Sequence, residues 1–355
     1  MKLVSVVGAR PQFVKAFPLS KALAAAPDLH EVIVHTGQHF DPNMSQIFFA
    51  ELGIVEPHYN LNIHGGAHGE VTGRMLAAVE GVLLAERPDA VLVFGDTNST
   101  LAGALAAAKL NIPVIHVEAG LRSFNRTMPE EINRVVTDHV SHILLCPTTT
   151  AVANLAAEGV TRGVHQVGDL MYDATLAATE LSRLHATLLA RLGLQPGGYG
   201  VATIHRAENT ADQAHLAAVF DFLQGAAWEK PIVLPIHPRT RNAAAELGVA
   251  TDRPGLRLIE PVGYLDMTQL LHHAAFVATD SGGVQKEAYF HRTPCVTLRS
   301  ETEWVETVEC GWNRLWTVPD YRPRREIYEY GGGDCARRCV DVIRASLTGG
   351  RAEKN

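Results

Sequence analysis

At 355 residues the chain is longer than one ordinary hydrophobic core serves, so two domains are expected. Hydrophobic residues make up 46% and charged residues 19%, the balance of a water-soluble globular protein, and the net charge of −7 excludes nucleic acid and membrane surfaces as main partners. The five cysteines suggest no disulfide framework, and Cys335 and Cys339 lack a second ligand pair, so no metal site is expected.

Leu3 to Val7 is a β-branched run that predicts a buried strand closing on Gly8-Ala9-Arg10-Pro11. Met1-Lys2 leads straight into it, and no run nears the ~20 apolar residues of a bilayer span, so a cytoplasmic location is expected. Phe13 to Ala26 reads as a helix, Glu31 to Thr36 as a strand, and Met44 to Leu52 and Gly73 to Glu86 as helices. The motif His64-Gly65-Gly66-Ala67-His68 reads as a lid or a plain loop. Three further strands are expected over Ala90 to Phe94, Pro113 to Val117 and His142 to Cys146. The intervening helices cover Leu101 to Lys109 and Pro129 to about Val140, the latter with proline at its first position. A short strand ends before Val167, and a helix runs from Tyr172 to about Leu192. The alternation then restarts, with strands over Gly200 to Ile204, Ile232 to Ile236, Leu256 to Ile259, Phe276 to Thr279 and Cys295 to Leu298. Uniformly apolar strands alternating with helices predict parallel sheets covered on both faces. The fold class is therefore α/β, with two domains facing one another and a boundary near residues 168–175.

Ligands of such sheets bind beyond the carboxyl ends of the strands, and the polar clusters lie there. The stretch from Ala278 to Glu287 has the layout of an anion site. A strand leads into Ser281-Gly282-Gly283, whose backbone can approach a ligand closely, and the next helix aims free N–H groups at negative charge. Glu287 is placed to accept from sugar hydroxyls, or is incidental to a tight turn. Arg10 can grip a phosphate, and Lys15 can face the same cleft. Asp96 and Glu118 follow adjacent strands and can share one cleft as an acid–base pair, although Asp96 and Thr97 also stand where a helix cap is needed. Glu130 and Glu131 suit either the dipole of the helix they open or a third acid for moving a carbon-bound proton. His205 can donate to a leaving phosphate oxygen and Arg206 can hold its charge, while Tyr264 can border a base pocket or pack in the core.

Five runs carry a resemblance across nearly the whole chain. They are Gly95-Asp96-Thr97-Asn98-Ser99-Thr100, His116 to Arg122, Met128 to Arg134, Ile204 to Asn209, and Thr279 to Glu287, with Gly8-Ala9-Arg10-Pro11-Gln12 before them. The chain resembles the non-hydrolysing UDP-N-acetylglucosamine 2-epimerases. The resemblance implies two Rossmann-like domains of the glycosyltransferase-B type facing a cleft, over residues 1–170 and 171–335, with residues 336–355 crossing back to the first domain. It implies interconversion of UDP-GlcNAc and UDP-ManNAc by elimination of UDP, a 2-acetamidoglucal intermediate and re-addition. No cofactor or metal is implied, and the expected assembly is a homodimer. By motif, Asp96, Glu118, Glu130, His205 and Lys15 match catalytic or active-site positions. Arg10, Arg206, Tyr264, Ser281, Gly282, Gly283 and Glu287 are the expected substrate contacts. Gln12 stands where the common bacterial form has Glu, and Trp304 stands where that form has an arginine. These departures resemble the branch that acts on UDP-2,3-diacetamido-glucuronic acid, which is the alternative substrate; a glycosyltransferase of the same fold is a further alternative.

Overall fold

The computed structural model describes residues 1–38, 56–185, 187–227 and 229–352, with the side chain of Arg10 outside the described set. The expected helix over Met44 to Leu52 also lies outside the described residues. The chain divides into two compact units, Met1–Ala174 with Tyr328–Asn355, and Thr175–Ile327.

The first unit holds β1 (Lys2–Val7), β2 (His30–His35), β3 (Tyr59–Asn60), β4 (Ala90–Phe94), β5 (Val114–Val117), β6 (Ile143–Cys146) and β7 (Val164–Gln166). They pair in the order β3-β2-β1-β4-β5-β6-β7, with every registered pair parallel. The second unit holds β8 (Gly200–Thr203), β9 (Ile232–Pro235), β10 (Leu256–Ile259), β11 (Phe276–Thr279), β12 (Cys295–Thr297) and β13 (Asn313–Leu315), in the order β10-β9-β8-β11-β12-β13. Counted within the unit that order is 3-2-1-4-5-6, the Rossmann sequence, and both sheets reverse direction beside their first strand. The chain is α/β, with two Rossmann-like domains of the glycosyltransferase-B type.

Both faces of each sheet are covered, which is why the inner strands Ala90–Phe94, Ile143–Cys146 and Ile232–Pro235 are apolar rather than alternating. In the first unit Leu3, Val7, Leu92, Phe94, Ile115 and Leu145 pack with the helix Arg10–Ala24 and with Cys335, Cys339 and Ile343 of the helix Cys335–Ala352. Val4, Val6, Val91 and Val93 face the opposite layer, against Val79 and Leu83 of the helix His68–Glu86. In the second unit one layer gathers Ala202, Phe220, Leu234 and Ala278, and the other Tyr199, Val201, Val233, Leu270 and Val277. All five cysteines are buried and unpaired. Among the described residues no helix is long and apolar enough to cross a membrane.

One layer of the second unit carries a histidine cluster. The His272 ring lies 5.2 Å from that of His291 and 4.7 Å from that of His273. Burial, with like charge from His272 and His273, pushes His291 down to about 3. Burial also lowers His272 and His273, with Arg183 adding to the effect and Glu180 opposing it at His272. The folded protein therefore binds fewer protons here than the unfolded chain, whose histidines titrate near 6.5. This contribution to stability is fully present above about pH 6.5 and is lost as pH falls from there through about 3. Thermal unfolding from pH 7.5 to 5 should show a slope that His291→Phe flattens by up to about 1.4 kcal/mol per pH unit. An unchanged slope would contradict the reading.

Candidate active site

In the first unit the sheet reverses between β1 and β4, and the residues beyond these strands are tightly cross-linked. A Cβ on Gly8 would collide with the hydroxyls of Thr36 and Ser99, so the first turn has room only for glycine. Gln12, 2% exposed, ties this turn to the next strand. Its Oε1 accepts from Gly8 N at 2.7 Å and Ala9 N at 3.0 Å, and its Nε2 donates to Phe94 O at 2.8 Å and Thr100 Oγ1 at 3.0 Å. An amide can do both; a carboxylate could not donate. Arg10 opens the helix Arg10–Ala24, and Lys15, about one turn further, forms an ion pair with Glu118. Both side chains are nearly buried, at 11% and 10% exposure, so the pair is a built feature and not a surface contact.

Asp96 and Glu118 stand at neighbouring strand ends. The helix Asn98–Lys109 is capped by Thr97, whose side chain accepts from Thr100 N, so Asp96 is not the cap. The Asp96 carboxylate pairs instead with Arg134, whose other guanidinium nitrogen meets Glu131, and Asn133 donates to Asp96 O at 2.9 Å. Glu118 adopts φ +69°, a left-handed conformation that side-chain-bearing residues avoid and that clusters at functional sites. Its own N–H and that of Ala119 both donate to Leu145 O, at 3.0 and 3.1 Å. Glu130 is exposed in the first turn of the helix Pro129–Val140, while Glu131 is 2% exposed and accepts from Ser123 N and Phe124 N, each at 2.9 Å. Burial would raise the Glu131 carboxyl; the Ser123 N–H and Arg134 outweigh it and hold it below the usual range.

Beneath these turns lies a buried polar network. His116, fully buried in β5, meets Asp138 Oδ1 with Nδ1 at 2.6 Å and Gly95 O with Nε2 at 2.7 Å. Asp138 Oδ2 accepts from Gly120 N at 3.1 Å and Arg122 Nη1 at 2.7 Å, and Arg122 grips Glu158 with two bonds of 2.7 Å. Burial would raise Asp138; His116 and Arg122 outweigh it and keep it low.

The second unit carries its own cluster at the ends of β8 and β11, again flanking the reversal. Asp280 is fully buried, and its Oδ2 accepts from His205 N at 2.9 Å, Arg206 N at 3.0 Å and Asn209 Nδ2 at 3.0 Å. Its Oδ1 lies 3.0 Å from His205 Nδ1, and the His205 side chain is 47% exposed, so the ring is held at one edge and presented at the other. Burial would raise Asp280, and His205 with the two backbone N–H groups outweighs it. Ser281 caps the helix Gly282–Phe290, leaving Gly282 and Gly283 in its first turn. A Cβ on Gly282 would strike Glu303. Glu303 pairs with Arg299 at 2.8 Å, and Lys286 lies 4.0 Å over the buried Trp304 ring. Tyr264, 3% exposed, starts the helix Tyr264–His273, and Glu287 is 9% exposed.

The anion-ready turn of the second unit, at Ser281 to Gly283, suits a phosphorylated ligand, and comparison narrows that. The family profile described as UDP-N-acetylglucosamine 2-epimerase matches residues 21–344. The chain belongs to the UDP-N-acetylglucosamine 2-epimerase family. It is 54% identical over 319 residues to the UDP-2,3-diacetamido-2,3-dideoxy-D-glucuronate 2-epimerase of Pseudomonas aeruginosa, covering 89% of this chain and 88% of that one. It is 49% identical to a UDP-N-acetylglucosamine 2-epimerase homolog of Methanococcus maripaludis, over 97% of this chain and 99% of that one. The crystal structure of Methanocaldococcus jannaschii UDP-GlcNAc 2-epimerase in complex with UDP-GlcNAc and UDP superposes with a TM-score of 0.87 at 42% identity, covering 97% and 100% of the two chains.

Within this epimerase family chain, the expected residues fall into two groups. Lys15 and Glu118 touch, and Asp96 shares Arg134 with Glu131; His205, Arg206 and Ser281 gather around Asp280 or directly follow it. Three buried residues of these hydrogen-bond networks went unread: His116, Asp138 and Asp280. Asp280 had a signal, an acid between a strand end and Ser-Gly-Gly, whereas His116 and Asp138 are 22 positions apart and meet only in the folded sheet. The Gln12→Glu variant should lose about 2 kcal/mol or more in urea denaturation, because two donors are removed from buried acceptors and a carboxylate is buried. An unchanged midpoint would contradict the role given to Gln12.

Proposed function

We propose that the chain is a non-hydrolysing 2-epimerase of UDP-2,3-diacetamido-2,3-dideoxy-glucuronic acid. The observation that carries this choice of sugar is the 54% identity to the Pseudomonas aeruginosa enzyme of that name, against 49% to the Methanococcus maripaludis UDP-N-acetylglucosamine 2-epimerase homolog and 45% to the Methanocaldococcus jannaschii UDP-N-acetylglucosamine 2-epimerase. Gln12 and Trp304, the departures from the common bacterial form, point the same way. UDP-GlcNAc is the second reading, favoured by the 0.87 superposition on a structure that binds it.

In this reading the first unit handles the carbon-bound proton and the second the leaving group. A carboxylate removes the C2 proton as the C1–oxygen bond breaks and UDP departs with the electron pair, leaving a C1–C2 double bond. A carboxyl on the opposite face then returns a proton to C2 while UDP oxygen re-forms the C1 bond, inverting C2. The ion pairs of Glu118 with Lys15 and of Asp96 with Arg134 support giving these two acids the proton transfers, with Glu130 the exposed third acid. Arg10, His205 and Arg206 counter the charge that develops on UDP, as do the N–H groups of Gly282 and Gly283. Glu287 takes the ribose and Tyr264 borders the base.

Turnover should be at least about tenfold higher in kcat/KM with the diacetamido-uronate than with UDP-GlcNAc, a preference of about 1.4 kcal/mol. The opposite order would establish the second reading. Asp96→Asn and Glu118→Gln should each cut kcat about 100-fold or more while UDP still binds by calorimetry. Retained turnover would remove that residue from the mechanism.

A further inference from the structure

We propose that His116 is a positioning residue, clamped between Gly95 and Asp138, that sets Asp96 and Glu118 at a fixed spacing for proton transfer. The proposal rests on the reading above, in which those two acids act at C2.

Hydrogen bonds hold the ring by both nitrogens. Nε2 faces a backbone carbonyl, which can only accept, so Nε2 donates to Gly95 O. Nδ1 meets Asp138 Oδ1, and the other oxygen of that carboxylate accepts from Arg122 and Gly120 N. The ring has 0% exposure. Asp138 comes from the helix Pro129–Val140 and is held by Arg122 from the turn after β5, which grips Glu158 at the end of the helix Thr149–Ala157. His139 adds a contact to Glu158 at 3.8 Å.

What the ring holds is specific. Gly95 N donates to Val117 O at 3.0 Å and Gly95 O accepts from His116, so both polar groups of this residue are fixed by β5. Gly95 has φ +62° and is followed at once by Asp96; Val117 is followed at once by Glu118 at φ +69°. On the other side, Asp138 takes the N–H of Gly120, two residues beyond Glu118. One buried ion set therefore fixes both acid-bearing turns. A misplacement of about 1 Å can cost a reaction about 100-fold, so loss of this clamp should fall on the chemical step and not on UDP binding.

The test is His116→Gln in the full chain. Glutamine carries both of its donors on one nitrogen and cannot reach Gly95 O and Asp138 from two separate nitrogens as the ring does. With whichever UDP-sugar the wild-type protein turns over, kcat should fall about 10- to 100-fold, with KM within about twofold and the calorimetric affinity for UDP unchanged in a folded variant. A folded variant with wild-type kcat would overturn the proposal. So would equal changes in kcat and KM alongside weakened UDP binding. Should the variant not fold, 15N-resolved NMR of the wild-type protein decides: an exchange-protected Nε2–H signal of His116 supports the clamp, and a ring with no proton on Nε2 overturns it. Wild-type protein that turns over neither sugar would fail the functional reading, while the ring signal, read without substrate, would still judge the clamp.

Discussion

Gly95 is held by both of its backbone polar groups to a single neighbouring strand, and the placement of Asp96 relative to Glu118 depends on that constraint. Its N–H reaches Val117 O and its carbonyl receives His116, so the turn carrying Asp96 is referenced directly to the turn carrying Glu118. Both turns leave ordinary backbone conformations, at φ +62° for Gly95 and +69° for Glu118. For the glycine this costs little. For Glu118 it is a strain of about 1–3 kcal/mol, tolerable because surrounding bonds over-determine it. The bonds from Glu118 N and Ala119 N to Leu145 O and from Gly120 N to Asp138 supply that determination.

The second unit solves a related problem with one carboxylate. Asp280 accepts two consecutive backbone N–H groups and an Asn209 amide, and stands 3.0 Å from the His205 ring. Burying a charge without water is expensive unless it is hydrogen-bonded, and here the three bonds to Oδ2 also set the His205-Arg206 turn. Polar groups buried below a switch point thus present the exposed ones above it. The same division separates Glu131 from Glu130: the buried acid shapes the loop at Ser123 and Phe124, and its neighbour is left facing outward.

Much of this architecture could be read from the chain because parallel strands buried on both faces write themselves as short apolar runs. The strands over Ala90–Phe94, Leu256–Ile259 and Phe276–Thr279 have the limits expected of them, and most others differ by a residue or two at an end. The edge strands Tyr59–Asn60 and Asn313–Leu315 were not legible, since two or three residues carry no period. The helix Thr149–Ala157 also went unread, and the helix expected over Gly73 to Glu86 begins earlier, at His68, within the supposed loop. At the site, residues displayed at strand ends were visible as polar interruptions. Those beneath them were not, because His116 sits inside an apolar strand and Asp138 inside a helix, and neither position alone reveals its partner.

The central claim is that carboxylates at the ends of β4 and β5 exchange the C2 hydrogen as a proton. Proton NMR of the reaction in D2O, with UDP-2,3-diacetamido-glucuronic acid and neither acceptor nor added metal, tests it most directly. The account predicts that the C2-inverted product carries deuterium at C2 and protium at its other ring carbons. Inverted product that keeps protium at C2 throughout would contradict it, because the hydrogen would then not have passed through an exchangeable carboxyl.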